Sequence, residues 1–252
     1  MTLRELRIPA LAFTAALLLT AAHAKVTETI KQSYPLAADG VIYLDNVNGS
    51  IKIVAWDKAE VSLEAEKNGK TDDDLKRITM EVDAQPAKLT IKTKYQKNGA
   101  FHGGYPNGGV DYTLRVPANA TLQKIDSVNS NITVTGVKGA MTLVTVNGAI
   151  KAQDAAAASK FETVNGSVDV EYDTMPVTGK IELESVNGST TITVPKGAGF
   201  DLKASSVNGR ASCALPITLT KSGGHHLKGH VGTGGPSVEL ETVNGSLSVE
   251  TK

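Results

Sequence analysis

The side chains with the most chemistry to offer in this chain are a histidine cluster, one cysteine and a recurring asparagine. His225, His226 and His230 lie within Ser222-Gly223-Gly224-His225-His226-Leu227-Lys228-Gly229-His230. Neutral imidazoles bind zinc, copper or nickel, so the segment is a candidate transition-metal site. Its glycines exclude a helix that would fix the spacing, and it contains no carboxylate to orient the rings, so a solvated loop is the competing reading. Cys213 is the single cysteine and forms no internal disulfide. Asn48, Asn165, Asn187 and Asn244 each begin an Asn-Gly-Ser glycosylation sequon, but Asn-Gly is first of all a turn dipeptide. For hydrolysis a serine, histidine and acid set is needed. Beyond residue 24 the only histidine outside the cluster is His102, in a second glycine-rich segment, and no nucleophile elbow or phosphate loop occurs. Glu182, Glu184, Glu239 and Glu241 alternate with apolar residues as the solvated face of a strand does. No catalytic residue and no cofactor is assigned.

The asparagines point to the elements that position everything else. Val-Asn-Gly recurs at Asn48-Gly49, Asn147-Gly148, Asn165-Gly166, Asn187-Gly188, Asn208-Gly209 and Asn244-Gly245, with Asn129-Ser130 as a degenerate copy lacking the glycine. From Asn129 onward the intervals are 18, 18, 22, 21 and 36 residues, the last being one period lengthened by the glycine-rich insertion. A near-constant period of this size marks a stacked repeat. Four residues before each Asn stand Leu44, Ile125, Leu143, Phe161, Leu183, Ala204 and Leu240; five after it stand Ile53, Val134, Ala152, Val170, Ile192, Cys213 and Val249. Apolar and polar residues alternate between these positions, which is strand patterning with one buried face. Each unit is therefore read as a strand, an Asn-Gly corner at positive φ, and a second strand. The corners should stack so that their Asn side chains form a hydrogen-bonded ladder. Cys213 falls in an aliphatic slot and is expected to be buried.

The first 24 residues differ in kind. Arg4 and Arg7, an apolar run from Ile8 to Leu19 and Ala22-His23-Ala24 read as a secretory signal peptide cleaved after Ala24, which makes the mature chain periplasmic or secreted. Residues 25–252 contain no second long apolar stretch and no membrane span is expected in them. With 26 basic and 26 acidic residues the charge is balanced, which argues against nucleic acid as a partner. Residues 25–123 are strand-like but less regular than 124–252. Strands are expected at Val41–Leu44, Ile51–Val54, Val61–Glu64, Leu89–Lys92 and Tyr112–Val116, a short helix capped by Thr71 between them, and a loop at Gly99–Gly109. This half is expected to cover one open end of the ladder.

Taken together, Leu44-Asp45-Asn46-Val47-Asn48-Gly49-Ser50, Val54-Ala55-Trp56-Asp57, Asp111-Tyr112-Thr113-Leu114-Arg115-Val116-Pro117, the Val-Asn-Gly series and Gly234-Gly235-Pro236 resemble the toast-rack putative-adhesin family of bacterial domains. The resemblance runs over nearly all of residues 25–252. It implies an all-β, stacked β-solenoid-like ladder and a role at the cell envelope, as an adhesin-like surface or scaffold or as a sensing module in envelope-stress regulation. The partner would be another envelope protein or a surface ligand. The family brings no catalytic residues with it.

Overall fold

The computed structural model describes residues 25–97 and 104–252; the expected signal peptide at 1–24, His102 and the start of the expected Gly99–Gly109 loop lie outside these. The strands in chain order begin with β1 (Val26–Pro35), β2 (Val41–Asp45), β3 (Ile51–Trp56) and β4 (Glu60–Gly69). After helix α1 (Asp72–Lys76) come β5 (Ile78–Gln85), β6 (Lys88–Tyr95) and β7 (Gly108–Pro117). The repeats then supply β8 (Thr121–Ser127), β9 (Ile132–Thr135), β10 (Met141–Asn147), β11 (Ile150–Ala155), β12 (Lys160–Asn165) and β13 (Val168–Tyr172). They continue with β14 (Lys180–Asn187), β15 (Thr190–Val194), β16 (Phe200–Asn208) and β17 (Ala211–Cys213). The chain ends with β18 (Ile217–Gly223), β19 (His226–Val231), β20 (Ser237–Asn244) and β21 (Leu247–Thr251).

These form two long, mostly parallel sheets. The first has the order β1-β4-β7-β3-β9-β11-β13-β15-β21-β17, the second β18-β19-β16-β20-β14-β12-β10-β8-β2-β6-β5. Each Val-Asn-Gly corner carries the chain from the second sheet to the first, so every rung gives one strand to each. Register follows the repeat: Asn147 lies opposite Asn165, and Asn165 opposite Asn187. The residues four before, and three and five after, the corner Asn residues point inward from the two sheets and meet in one continuous core; Leu143, Ile150, Phe161, Val168, Leu183, Ile192 and Leu240 are all inaccessible to solvent. A buried aliphatic side chain contributes about 1.5–3 kcal/mol, whereas ordering each residue costs about 1–2 kcal/mol. A rung with three or four such side chains cannot stand alone, and stacking supplies the rest.

One expectation about order is corrected. The final copy does not follow Asn208 as a lengthened period. Asn244 pairs with Asn187 on one side and with Asn208 on the other, so the C-terminal rung slots between its two predecessors. The interval of 36 residues is the length of chain needed to form the β18–β19 hairpin and return.

At the other end β7, β4 and β1 extend the first sheet beyond β3, and β6 and β5 extend the second beyond β2. The expected strands are present, and Thr71 caps α1 by accepting from the Asp74 N–H at 3.1 Å. The residue pattern does not mark β1, β5, β18 or β19 as strands. Three of these are sheet edges, and β1 and β18 in particular have no buried face, so the alternation that marks a strand is missing.

Candidate binding surface

The corners stack into a continuous ladder of side-chain amides. Asn129 Nδ2 donates to Asn48 Oδ1 at 2.7 Å, Asn147 to Asn129 at 2.8 Å, Asn165 to Asn147 at 2.8 Å and Asn187 to Asn165 at 2.9 Å. Asn244 then donates to Asn187 at 2.8 Å and Asn208 to Asn244 at 2.9 Å. Asn129, Asn147, Asn165, Asn187 and Asn244 each donate one way along the stack and accept from the other, which leaves each amide a second N–H and a second lone pair.

The glycines are required for a different reason from the one expected. Of the corner glycines only Gly49, at φ +113°, is in the positive region. The others lie against the backbone of the neighbouring rung: a Cβ on Gly148 would stand 1.9 Å from the Ser130 carbonyl oxygen, on Gly166 2.0 Å from that of Gly148, and on Gly188 1.8 Å from that of Gly166. Close approach, not left-handed backbone, excludes a side chain. At the degenerate corner Ser130 is tolerated with its hydroxyl turned inward onto Ser127 Oγ.

A second ladder lies just beneath, at the position two before each Asn. Thr145 Oγ1 donates to the Ser130 carbonyl at 3.0 Å, Thr163 to Gly148 at 2.8 Å, Ser185 to Gly166 at 2.9 Å, Thr242 to Gly188 at 3.0 Å and Ser206 to Gly245 at 3.0 Å. At the first corner Asn46 fills the slot and donates to the Asn48 carbonyl at 3.1 Å. These buried donors satisfy carbonyls that the sharp corner removes from the sheets. The signal was present in the sequence as an invariable Ser, Thr or Asn before each Val-Asn.

The valines of six of the seven corners are exposed, Val47 at the first corner being half-buried. Val128, Val146, Val164, Val186 and Val243 are 38–39% exposed and Val207 is 63% exposed, and all six stand in one row beside the amides. At about 4.8 Å per rung the row is about 24 Å long. A shallow groove of about 510 Å³ runs along it, lined also by Val144, Glu162, Glu184 and Glu241. Glu162, Glu184 and Glu241 face one another across β12, β14 and β20, and Glu182 and Glu239 form a second acidic row. Lys160 offsets the first at 2.8 Å from Glu162, Lys203 lies 2.9 Å from Glu241, and Lys180 lies 3.0 Å from Glu239. Burial pushes the Glu184 carboxyl above its ordinary value, with the Glu162 and Glu182 carboxylates adding to the shift against the opposing pull of Lys160. For Glu239 burial acts upward too, but the ammonium groups of Lys180 and Lys203 outweigh it and the net shift is downward.

The three candidate histidines do not converge. His226 and His230 are on β19, opposite Ser205 and Asp201 of β16, and four residues of strand separate them by about 13 Å. His226 Nδ1 bonds Ser205 Oγ at 2.9 Å, His230 Nδ1 bonds Asp201 Oδ1 at 2.6 Å, and His225 Nδ1 bonds the Gly209 carbonyl at 2.6 Å. The segment is a β-hairpin rather than a solvated loop, and a carboxylate absent from the local sequence reaches His230 from β16. Among the described residues no three His, Cys, Asp or Glu side chains gather as metal ligands would. Cys213 does occupy the aliphatic slot, opposite Val249, but β17 ends its sheet and leaves the thiol half-buried rather than enclosed. Burial still pushes the thiol upward in pKa.

No helix among the described residues is long and apolar enough to cross a membrane. No protein-family model and no curated protein matches the chain. Among solved structures it is similar to a putative cell adhesion protein from Clostridium sporogenes, with 14% identity over 91% of this chain and 100% of that one and a TM-score of 0.47. It is also similar to a putative adhesin from Bacteroides fragilis, with 11% identity over 89% and 97% and a TM-score of 0.36. A third is a putative lipid binding protein from Parabacteroides distasonis, with 12% identity over 88% and 96% and a TM-score of 0.35.

Proposed function

We propose that the protein is an exported, non-enzymatic binding protein of the cell envelope, adhesin-like or scaffolding, whose contact surface is the Val-Asn corner with the acidic rows beside it. The observation that carries this reading is the row of six stacked valines, 38–63% exposed, in a chain whose inward-facing aliphatic repeat positions, the half-buried Ala211 apart, are enclosed. The row combines an apolar stripe, a line of amides with unused donors and acceptors, and a flank of glutamates. The partner it fits presents aliphatic side chains in an extended array with lysine or arginine alongside. A sensing module that recruits a partner by strand addition is served less well. The edges β1, β5 and β18 carry Glu28, Lys31, Glu81, Asp83 and Lys221, and β17 is only three residues long, which are the devices that discourage strand pairing.

The test places a photo-crosslinking amino acid at Val164 or Val186 in intact cells, with Thr191 on the outer face of the first sheet as the reference position. The reading expects a discrete adduct from the two corner positions that disappears when Val146 and Val243 are changed to Asp. Equal capture from Thr191, or an adduct indifferent to those changes, would sink it.

A further inference from the structure

The ladder that holds six Asn-Gly pairs also decides which of them can react. An Asn-Gly peptide is chemically labile. The glycine nitrogen attacks the asparagine side-chain carbonyl carbon, a C–N bond forms, ammonia leaves, and water then opens the five-membered imide at either carbonyl to give aspartate or isoaspartate. The attack needs a glycine N–H able to lose its proton and a side-chain amide free to turn onto the nitrogen.

Five corners meet neither requirement. Gly49 donates its N–H to the Asn129 carbonyl at 3.3 Å, Gly148 to Asn165 at 3.0 Å, Gly166 to Asn187 at 3.1 Å, Gly188 to Asn244 at 3.0 Å and Gly245 to Asn208 at 3.2 Å. The side-chain amides of these corners are held by both the oxygen and the nitrogen: each of Asn147, Asn165, Asn187 and Asn244 donates to one neighbouring Asn and accepts from the other, and Asn48 accepts from Asn129 and donates to the Gly108 carbonyl. The sixth corner is the spatial end of the stack. Gly209 N–H and Asn208 Oδ1 have no hydrogen-bond partner among the described residues, and only Asn208 Nδ2 is engaged, at 2.9 Å from Asn244 Oδ1. The Asn208 carbonyl accepts from Gly245, which draws electron density from the peptide nitrogen that would attack. His225 meanwhile fixes the Gly209 carbonyl from the hairpin, so the corner is held in place while its nitrogen stays unlocked.

We propose that Asn208 is the modification site of this protein, converting spontaneously to aspartate and isoaspartate while the other five Asn-Gly corners are protected by the ladder. The product removes the last donor of the amide chain and sets a carboxylate against Asn244 Oδ1. Isoaspartate also adds a backbone atom where a Cβ on Gly209 would already stand 1.8 Å from the Gly245 carbonyl oxygen. Loosening that rung releases the Gly245 N–H, so modification spreads in the spatial order 208, 244, 187 and not in chain order.

Cleavage at Lys203 and Arg210 isolates Ala204–Arg210, and the other corners fall in separate tryptic peptides. The full chain is incubated in mildly alkaline buffer, folded or in guanidinium, and each peptide is followed for the gain of about 1 Da that deamidation produces. The expected result is that Asn208 reacts at least about tenfold faster than Asn147, Asn165 and Asn187 in the folded protein, and that the spread collapses in guanidinium, where local opening no longer limits access. Equal rates in the folded protein, a faster corner elsewhere in the ladder, or a spread that survives unfolding would each overturn it.

Discussion

Replacing Gly166 with Ala tests the reason that the corners need glycine. The new Cβ would stand 2.0 Å from the Gly148 carbonyl oxygen and 2.5 Å from its carbon, both backbone atoms that cannot rotate aside. Carbon contacts are comfortable from about 3.5 Å, so the rungs must part by more than about 1 Å. That separation breaks the Gly148 N–H bond to Asn165 at 3.0 Å, the Asn165 amide bond to Asn147 at 2.8 Å and the Thr163 hydroxyl bond to Gly148 at 2.8 Å. At about 1 kcal/mol each the loss is about 3 kcal/mol, against a gain of at most about 1 kcal/mol from a less flexible unfolded chain. The expected net cost of about 2–3 kcal/mol is read from the urea midpoint by circular dichroism, with the slope unchanged. The companion is Gly197, at φ +76° with nothing within 4 Å of a Cβ. There Ala costs about 1–2 kcal/mol and Asn, which tolerates left-handed backbone, costs little. At Gly166, Asn is as damaging as Ala. A neutral Gly166→Ala, or rescue by Asn at that position, would refute the close-approach argument.

Two further outcomes follow from buried polar groups. Thr163→Val keeps the shape but removes the donor to the Gly148 carbonyl and should cost about 1–2 kcal/mol, whereas Thr191→Val on the outer face should stay within about 0.5 kcal/mol; equal effects in urea melts would contradict the buried-hydroxyl ladder. Tyr112, enclosed and hydrogen-bonded to Thr93 at 2.8 Å, has its phenol pushed up to about 12 by burial, and Tyr172 is shifted in the same direction for the same reason. A folded-state pKa above the unfolded one makes the fold hold more protons, so this stability is complete below about pH 10 and is lost as pH rises toward 12. Phenolate absorbance should therefore show a group of tyrosines that ionises only together with the loss of β-sheet signal.

How much of this was readable from the residues depends on how often each position repeats. The two-residue alternation around Asn147, Asn165 and Asn187 places Leu143, Phe161 and Leu183 inside, because a fully buried slot tolerates few residue types. The amide ladder was readable for the same reason. Strands β1 and β18 were not, since edge strands solvated on both faces are under no such restriction. The hydroxyl beneath each corner left a clear trace at Thr145, Thr163 and Ser185, but its purpose appears only when the Ser130, Gly148 and Gly166 carbonyls are seen turned toward it. The histidines show the opposite limit: spacing in sequence brought His225, His226 and His230 together, and one extended strand separates them.

The insertion of the last rung between its predecessors accounts for several features at that end of the stack. An end rung has a neighbour on one side only and is the weakest in a linear array. A chain that stacked in sequence order would give that place to the Asn244 rung. Here β20 pairs with both β14 and β16, and β21 with both β15 and β17, so the C-terminal strands are interior. The end falls to Asn208 instead, covered on the second sheet by β19 and β18 and left with three-residue β17 on the first. The 63% exposure of Val207, the half-buried Cys213 and the unlocked Gly209 N–H all belong to this one rung. The cost of the arrangement is a longer closure: Asn187 meets Asn244 across 57 residues, where Asn129 meets Asn147 across 18. Loop entropy grows only with the logarithm of length, so the extra closure costs about 1 kcal/mol. The two C-terminal strands gain a second row of hydrogen bonds in return, β16 recovers the row it gives up by pairing with β19, and the one-sided place falls to β17, which has only three residues to leave unpaired.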